Sequence, residues 1–172
     1  MSRWDGGTLF AQGFRPFFLA AGLWGVGGLA LWLATLYGTI ALPSAFDAIT
    51  WHGHEMLFGF VFAAVAGFLL TAVPNWTGRP PLRGWALVVL ALLWVLGRRA
   101  MLVSAWLGWL PAMIVDVGFY LVLALAIGRE VFAAKRRDFS MLAPLLLLAL
   151  ANAIDHAEAA GLVAADGHGF RA

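Results

Sequence analysis

The chain has 172 residues, 63% of them hydrophobic and 12% charged, with a mean hydropathy of +0.88, where a soluble domain averages roughly half and a quarter. That balance excludes an ordinary water-soluble domain and points to an integral membrane protein. The formal net charge of +2 comes from arginines beside apolar runs, which read as topology signals and not as a nucleic-acid surface, and the lack of cysteine excludes disulfides, thiolate metal sites and cysteine catalysis.

Apolar runs long enough to cross a hydrocarbon layer of about 30 Å recur five times. They predict an all-α, polytopic transmembrane bundle forming a single domain, with helices over roughly 17–37, 51–73, 84–106, 110–132 and 140–160. The first run follows Arg3 and Arg15, as a signal peptide would, but it is too long for the usual apolar region of one, so an uncleaved helix is expected. The second stops at Pro74, the third runs through Arg98 and Arg99, the fourth contains Asp116, and the fifth closes with Asn152, Asp155, His156 and Glu158. Nine tryptophans suit the interfacial belts of such a bundle. The odd number of spans and the polar ending predict the N-terminal part of a longer protein, whose remaining helices would be partners of these five.

Basic residues in the connections orient the spans. Arg3, Arg15, Arg79, Arg83, Arg129, Lys135, Arg136 and Arg137 fall on one side and only Arg171 on the other. Basic residues concentrate in cytoplasmic loops, so the N-terminus is expected in the cytoplasm. The Asn75-Trp76-Thr77 glycosylation pattern then lies on the wrong side and is set aside.

This topology gathers the unusual residues at the outer level of four helices: His52, His54 and Glu55 on the second, Arg98 and Arg99 on the third, Asp116 on the fourth and His156 on the fifth. Polar groups at such depth are costly and usually functional. His52 and His54 are two residues apart, which on a regular helix turns them about 200° from each other. They converge only if His52 sits at an unwound start, a freedom Gly53 would permit. His52, Glu55 and Gly59 share a stripe continued by Ala63 and Gly67, small residues that allow close helix approach. Asn152 and His156, four apart, share a face of the fifth helix. Three imidazoles without thiolates suit copper, haem iron or zinc. The expected metal ligands are His52, His54 and His156, with Glu55 accepting or relaying protons. Arg98 or Arg99 would pair with Asp116 or hold an anion such as a haem propionate, and Asn152 would support the cofactor. His168, in the terminal polar segment, reads as solvated. Each group also has a plain structural reading, as a headgroup contact, a helix-end charge or an ion pair.

The same residues carry a family likeness. Gly13-Phe14-Arg15-Pro16-Phe17-Phe18, the run from Trp51-His52-Gly53-His54-Glu55-Met56 through Phe60, Pro74-Asn75-Trp76-Thr77-Gly78-Arg79, and Leu150-Ala151-Asn152 with His156 together resemble the NnrS family. The resemblance implies a longer, multi-pass bacterial inner-membrane protein associated with haem and copper and linked to nitric oxide metabolism, nitrosative stress and denitrification. Asp155 stands where the family often has an apolar residue. The leading expectation is therefore a haem- and copper-binding membrane protein that handles nitric oxide or resists its products. A proton-coupled transporter or channel would use the same histidines, carboxylates and arginines, and a scaffold would use them only to fasten helices.

Overall fold

The computed structural model describes residues 7–135 and 142–162. His168, Arg3, Arg136, Arg137 and Arg171 lie outside them. Five helices are long and apolar enough to cross a membrane: α1 (Phe14–Leu36), α2 (Ala48–Thr77), α3 (Trp85–Leu102), α4 (Trp109–Ala133) and α5 (Leu142–Ala159). Even the 18-residue α3 and α5 rise about 27 Å. Their outer faces carry exposed Leu23, Val26, Leu125 and Leu147, a surface suited to lipid.

Local chemistry explains where the helix ends depart from the sequence expectation. The second span begins at Ala48 instead of near Trp51, because Asp47 caps it. Asp47 Oδ1 accepts from the Ile49 and Thr50 amides at 2.9 and 3.1 Å, and the Thr50 hydroxyl donates to Oδ2 at 2.5 Å. Burial alone would push the Asp47 pKa up, but these bonds to the carboxylate prevail and hold it below the usual value. The span also outlasts Pro74: a proline removes only its own N–H, and its carbonyl still accepts from the Gly78 amide at 2.9 Å, where Gly78 turns left-handed at φ 68° and ends the helix. α3 stops at Leu102, short of Trp106. The next residues leave the helix axis to form a single turn, Ser104–Leu107, tied to the α1–α2 connection. Ser104 Oγ accepts from the Ala45 amide at 2.9 Å, and the Ala105 amide donates to the Pro43 carbonyl at 3.0 Å.

α4 is central, packed against α2, α3 and α5, while α1 covers the other side of α2. Phe17, Phe58, Phe62, Phe119, Tyr120 and Leu123 form the heart of the core. At one end Arg79, just beyond α2, pairs with Glu130 of α4 through Nε and Oε2 at 2.5 Å. The polar cluster described below occupies the other end.

The middle of α2 is not an α-helix. Glu55–Val61 is a π-helix, continuous with Ala48–His54 before it and Phe62–Thr77 after it. The buried positions show why. His54 and Glu55, Phe58 and Gly59, Phe62 and Ala63, and Ala66 and Gly67 are all buried, repeating every four residues. An α-helix of 3.6 residues per turn would carry such a stripe about 40° round the axis at each repeat. The wider π-turn, closed by bonds to the fifth residue, cancels that drift and keeps both members of each pair facing inward. The register is secured from outside α2. The Phe62 amide bonds to Leu57 and Gly59, bypassing Phe58, the acceptor an α-helix would give it. Tyr120 Oη donates to the Phe58 carbonyl at 2.7 Å, and Trp94 Nε1 donates to the Gly59 carbonyl at 3.2 Å. Tyr120→Phe removes the donor to Phe58 without changing the ring. It is expected to cost about 1–3 kcal/mol, read as a lower Tm in detergent, whereas Tyr37→Phe, at a position 80% exposed, should leave Tm unchanged.

Candidate functional site

All five helices contribute a polar side chain to one enclosed cluster. Asp116 of α4 is its hub. Its Oδ1 forms an ion pair with Arg98 Nη2 of α3. Its Oδ2 lies 2.9 Å from His54 Nε2, accepts from Asn152 Nδ2 at 3.0 Å, and lies 3.4 Å from His156 Nε2. Arg98 Nη1 donates to Glu55 Oε2 at 2.7 Å, and Trp24 Nε1 of α1 donates to the same oxygen at 2.6 Å. At the far side His54 Nδ1 meets Asp155 Oδ2 at 2.5 Å. His54, Glu55, Arg98, Asp116, Asn152 and His156 are all buried, while Trp24 is half-buried and Asp155 keeps 26% of its side chain exposed.

Two close helix approaches make this possible. A Cβ on Gly97 would stand 3.0 Å from Asp116 Oδ1 and 3.3 Å from its Cα, so the glycine eases the close approach of α3 by which the neighbouring Arg98 reaches Asp116. A Cβ on Gly59 would stand 2.7 Å from Glu55 Oε2, 2.8 Å from Arg98 Nη1 and 2.8 Å from Trp24 Nε1, in the middle of that contact. The small-residue stripe on α2 thus makes room for an ion pair as well as for helix packing.

Electrostatically the cluster is crowded with acceptors. Glu55 and Asp116 share the single arginine, and His54 has a carboxylate oxygen on each ring nitrogen, which lets a ring protonated on both nitrogens donate twice. Charges at this depth persist only when paired and hydrogen-bonded. Four atoms in the cluster are nonetheless buried without a partner: Glu55 Oε1, Arg98 Nε, Asn152 Oδ1 and His156 Nδ1.

The structure brings His54 and His156 together, their rings edge to face with centroids 5.3 Å apart. With Asp116 they form a buried group whose ligand atoms, one from each residue, lie within 4.8 Å of one another. Donors about 2.0–2.2 Å from one tetrahedral ion stand about 3.3–3.6 Å apart, so the widest of these separations would have to close for one ion to touch all three. His52 does not join them. Capping by Asp47 places both His52 and His54 inside a regular helix, so the unwound start that would let them converge is absent, and His52 points to α1. There its ring stacks on Trp32 with centroids 4.1 Å apart, and its Nδ1 is buried without a partner. Of the two arginines, Arg98 enters the cluster and Arg99 is exposed. Asn152 serves the group through Asp116 and not through His156.

In the sequence Asp116 reads only as an arginine partner, and Asp155 carries no role toward His54. The first was legible in part, since two imidazoles and a carboxylate at one depth are a ligand set. The second was not, because 101 residues separate Asp155 from His54.

Gly59→Ala is expected to force Glu55 away from Arg98 and to cost on the order of 3 kcal/mol, the scale of a broken buried pair. Gly53→Ala, with nothing within 4 Å of its added Cβ, should stabilise the helix by about 0.5–1 kcal/mol. Thermal unfolding of the two variants in one detergent checks both signs.

A family model described as NnrS protein matches residues 8–172. Neither the curated proteins nor the solved structures include a match to the chain. With almost its whole length covered by that model, the chain belongs to the NnrS family.

Proposed function

We propose that this is a copper-binding protein of the bacterial inner membrane, with its N-terminus in the cytoplasm, which acts on nitric oxide or protects against nitrosative stress. The observation that carries the metal reading is the enclosed group His54, Asp116 and His156, with ligand atoms within 4.8 Å. Two imidazoles and a carboxylate are donors suited to a divalent copper or zinc ion, and His156 Nε2 lies 3.4 Å from Asp116 Oδ2. Membership of the NnrS family supports association with a metal or haem. Haem, which the likeness also implies, does not fit at this group: His54 and His156 are enclosed on every side, leaving no open face for a macrocycle. His52 and the exposed Arg99 stand apart from it, and no step is assigned to haem.

A copper ion held there would supply one-electron chemistry. The chain's own part is more definite. Arg98 fixes Asp116 through Oδ1 and leaves Oδ2 turned toward the imidazoles. Glu55, held through Oε2 by Arg98 and Trp24, keeps Oε1 without a partner, so it can receive a proton. The packed rings of Phe46 and Phe58 against His54 exclude water from the group.

One observation favours a second reading. Asp155, His54 and Asp116 form a hydrogen-bonded run of titratable groups from a partly exposed carboxylate into the cluster. A proton-coupled transporter would need such a path.

Copper analysis of purified variants separates the two. His54→Ala and His156→Ala should each lose most of the bound copper, while His52→Ala should keep it. Full copper in both of the first two variants would discard the site. A protein without copper that moves protons across vesicle membranes would favour transport. Orientation has its own check: a reporter fused after Lys135 should be cytoplasmic and one after Ser44 periplasmic, and the reverse pattern would move the cluster to the inner side.

A further inference from the structure

We infer that Asp155 is a positioning residue for His54, fixing which ring nitrogen faces the ion site. The inference rests on the metal reading of His54, Asp116 and His156 and adds to it the group that orients one of the ligands. His54 has two nitrogens and two possible ring orientations. A ligand needs a lone pair on the nitrogen that faces the ion, with the proton carried by the other. In this structure Nε2 faces Asp116 at 2.9 Å, on the side of His156, and Nδ1 faces Asp155 at 2.5 Å. A carboxylate on Nδ1 keeps the proton there and leaves Nε2 for the ion, the arrangement by which metal-bound histidines are commonly held.

Neighbouring positions on α5 divide the work. Successive residues on an α-helix point about 100° apart, so α5 sends His156 to the ion side of the His54 ring and Asp155 to its opposite nitrogen. Phe46 and Phe58 close the flanks, their ring centroids 5.3 and 4.9 Å from that of His54. Turning the ring over would place carbon atoms against the Asp116 and Asp155 oxygens and forfeit both bonds. Asp155 is also the more exposed of the two carboxylates on His54, at 26% beside 1% for Asp116. Its bond to His54 can therefore be removed without stranding a fully buried carboxylate. No other partner of His54 Nδ1 exists among the described residues.

The test uses the purified protein and the variants Asp155→Leu and Asp155→Asn, with zinc(II) as the probe in competition with a chromogenic chelator. Asp155→Leu should bind zinc 10–100-fold more weakly, the usual effect of removing a group that orients a metal-bound histidine. Asp155→Asn, which still offers an oxygen to Nδ1, should stay within a few-fold of the parent. A metal-free measurement reads the positioning by itself. In nitrogen-15 histidine spectra, His54 Nδ1 should carry a strongly hydrogen-bonded proton in the parent and in Asp155→Asn, and lose that signature in Asp155→Leu. An unchanged Nδ1 signal in Asp155→Leu overturns the inference, as does equal weakening of zinc binding by the two variants. A parent protein that shows the Nδ1 signature but takes up no zinc would refute the metal reading and leave the hydrogen-bonded orientation of His54 standing.

Discussion

The polar end of this bundle depends on the compensation of one buried carboxylate. Asp116 lies where an unpaired charge would cost several kcal/mol, and four residues on three other helices meet it: Arg98 on α3, His54 on α2, and Asn152 and His156 on α5. Each partner is itself buried and has its own needs. Arg98 takes Glu55 as well, Glu55 takes Trp24, and His54 takes Asp155. Satisfying one charge thus fixes the rotation and depth of all five helices at this level. Between lipid-facing helices apolar burial gives little preference for one partner over another, so packing and such bonds supply much of the specificity.

The π-helical stretch is the backbone counterpart of that network. Regular helix would let His54 and Glu55 reach the interior but carry Ala66 and Gly67 away from it. The wider turn keeps the whole stripe inward, at the cost of a carbonyl that the Phe62 amide no longer reaches. Tyr120, on the same helix as Asp116, supplies the missing donor. The helix that holds the hub therefore also holds the irregular segment that presents His54 to it. Irregular helices at membrane depth are tolerated only where neighbours satisfy the freed groups, and here they are satisfied.

The network is both tight and incomplete, which is its functional interest. Arg98 is matched by two carboxylates, His54 is bonded at both nitrogens, and yet Glu55 Oε1, Asn152 Oδ1 and His156 Nδ1 face no partner. A purely structural cluster would gain by satisfying or omitting such atoms. Unused acceptors around an imidazole pair are what an ion or a mobile proton would use, and both readings of the site draw on that surplus.

Much of this was legible in the sequence, because it rests on local properties of the chain. The lengths of the apolar runs set five spans, and counting residues from the loops put Glu55, Arg98, Asp116 and His156 at one depth. The motifs around His52 to Met56 and Pro74 to Arg79 carried the family. The four-residue repeat of buried positions after His54 was also there to be read, although it was visible only as a small-residue stripe. What the tertiary structure alone decided was which neighbour in each pair turns inward: His54 rather than His52, Arg98 rather than Arg99, and Asp155 reaching across to His54 beside His156. Depth in a membrane follows from counting residues along a helix. Facing depends on the rotation of each helix about its axis, and that is set by contacts between distant segments, at Gly59, Gly97 and the π-turn, which no local pattern specifies.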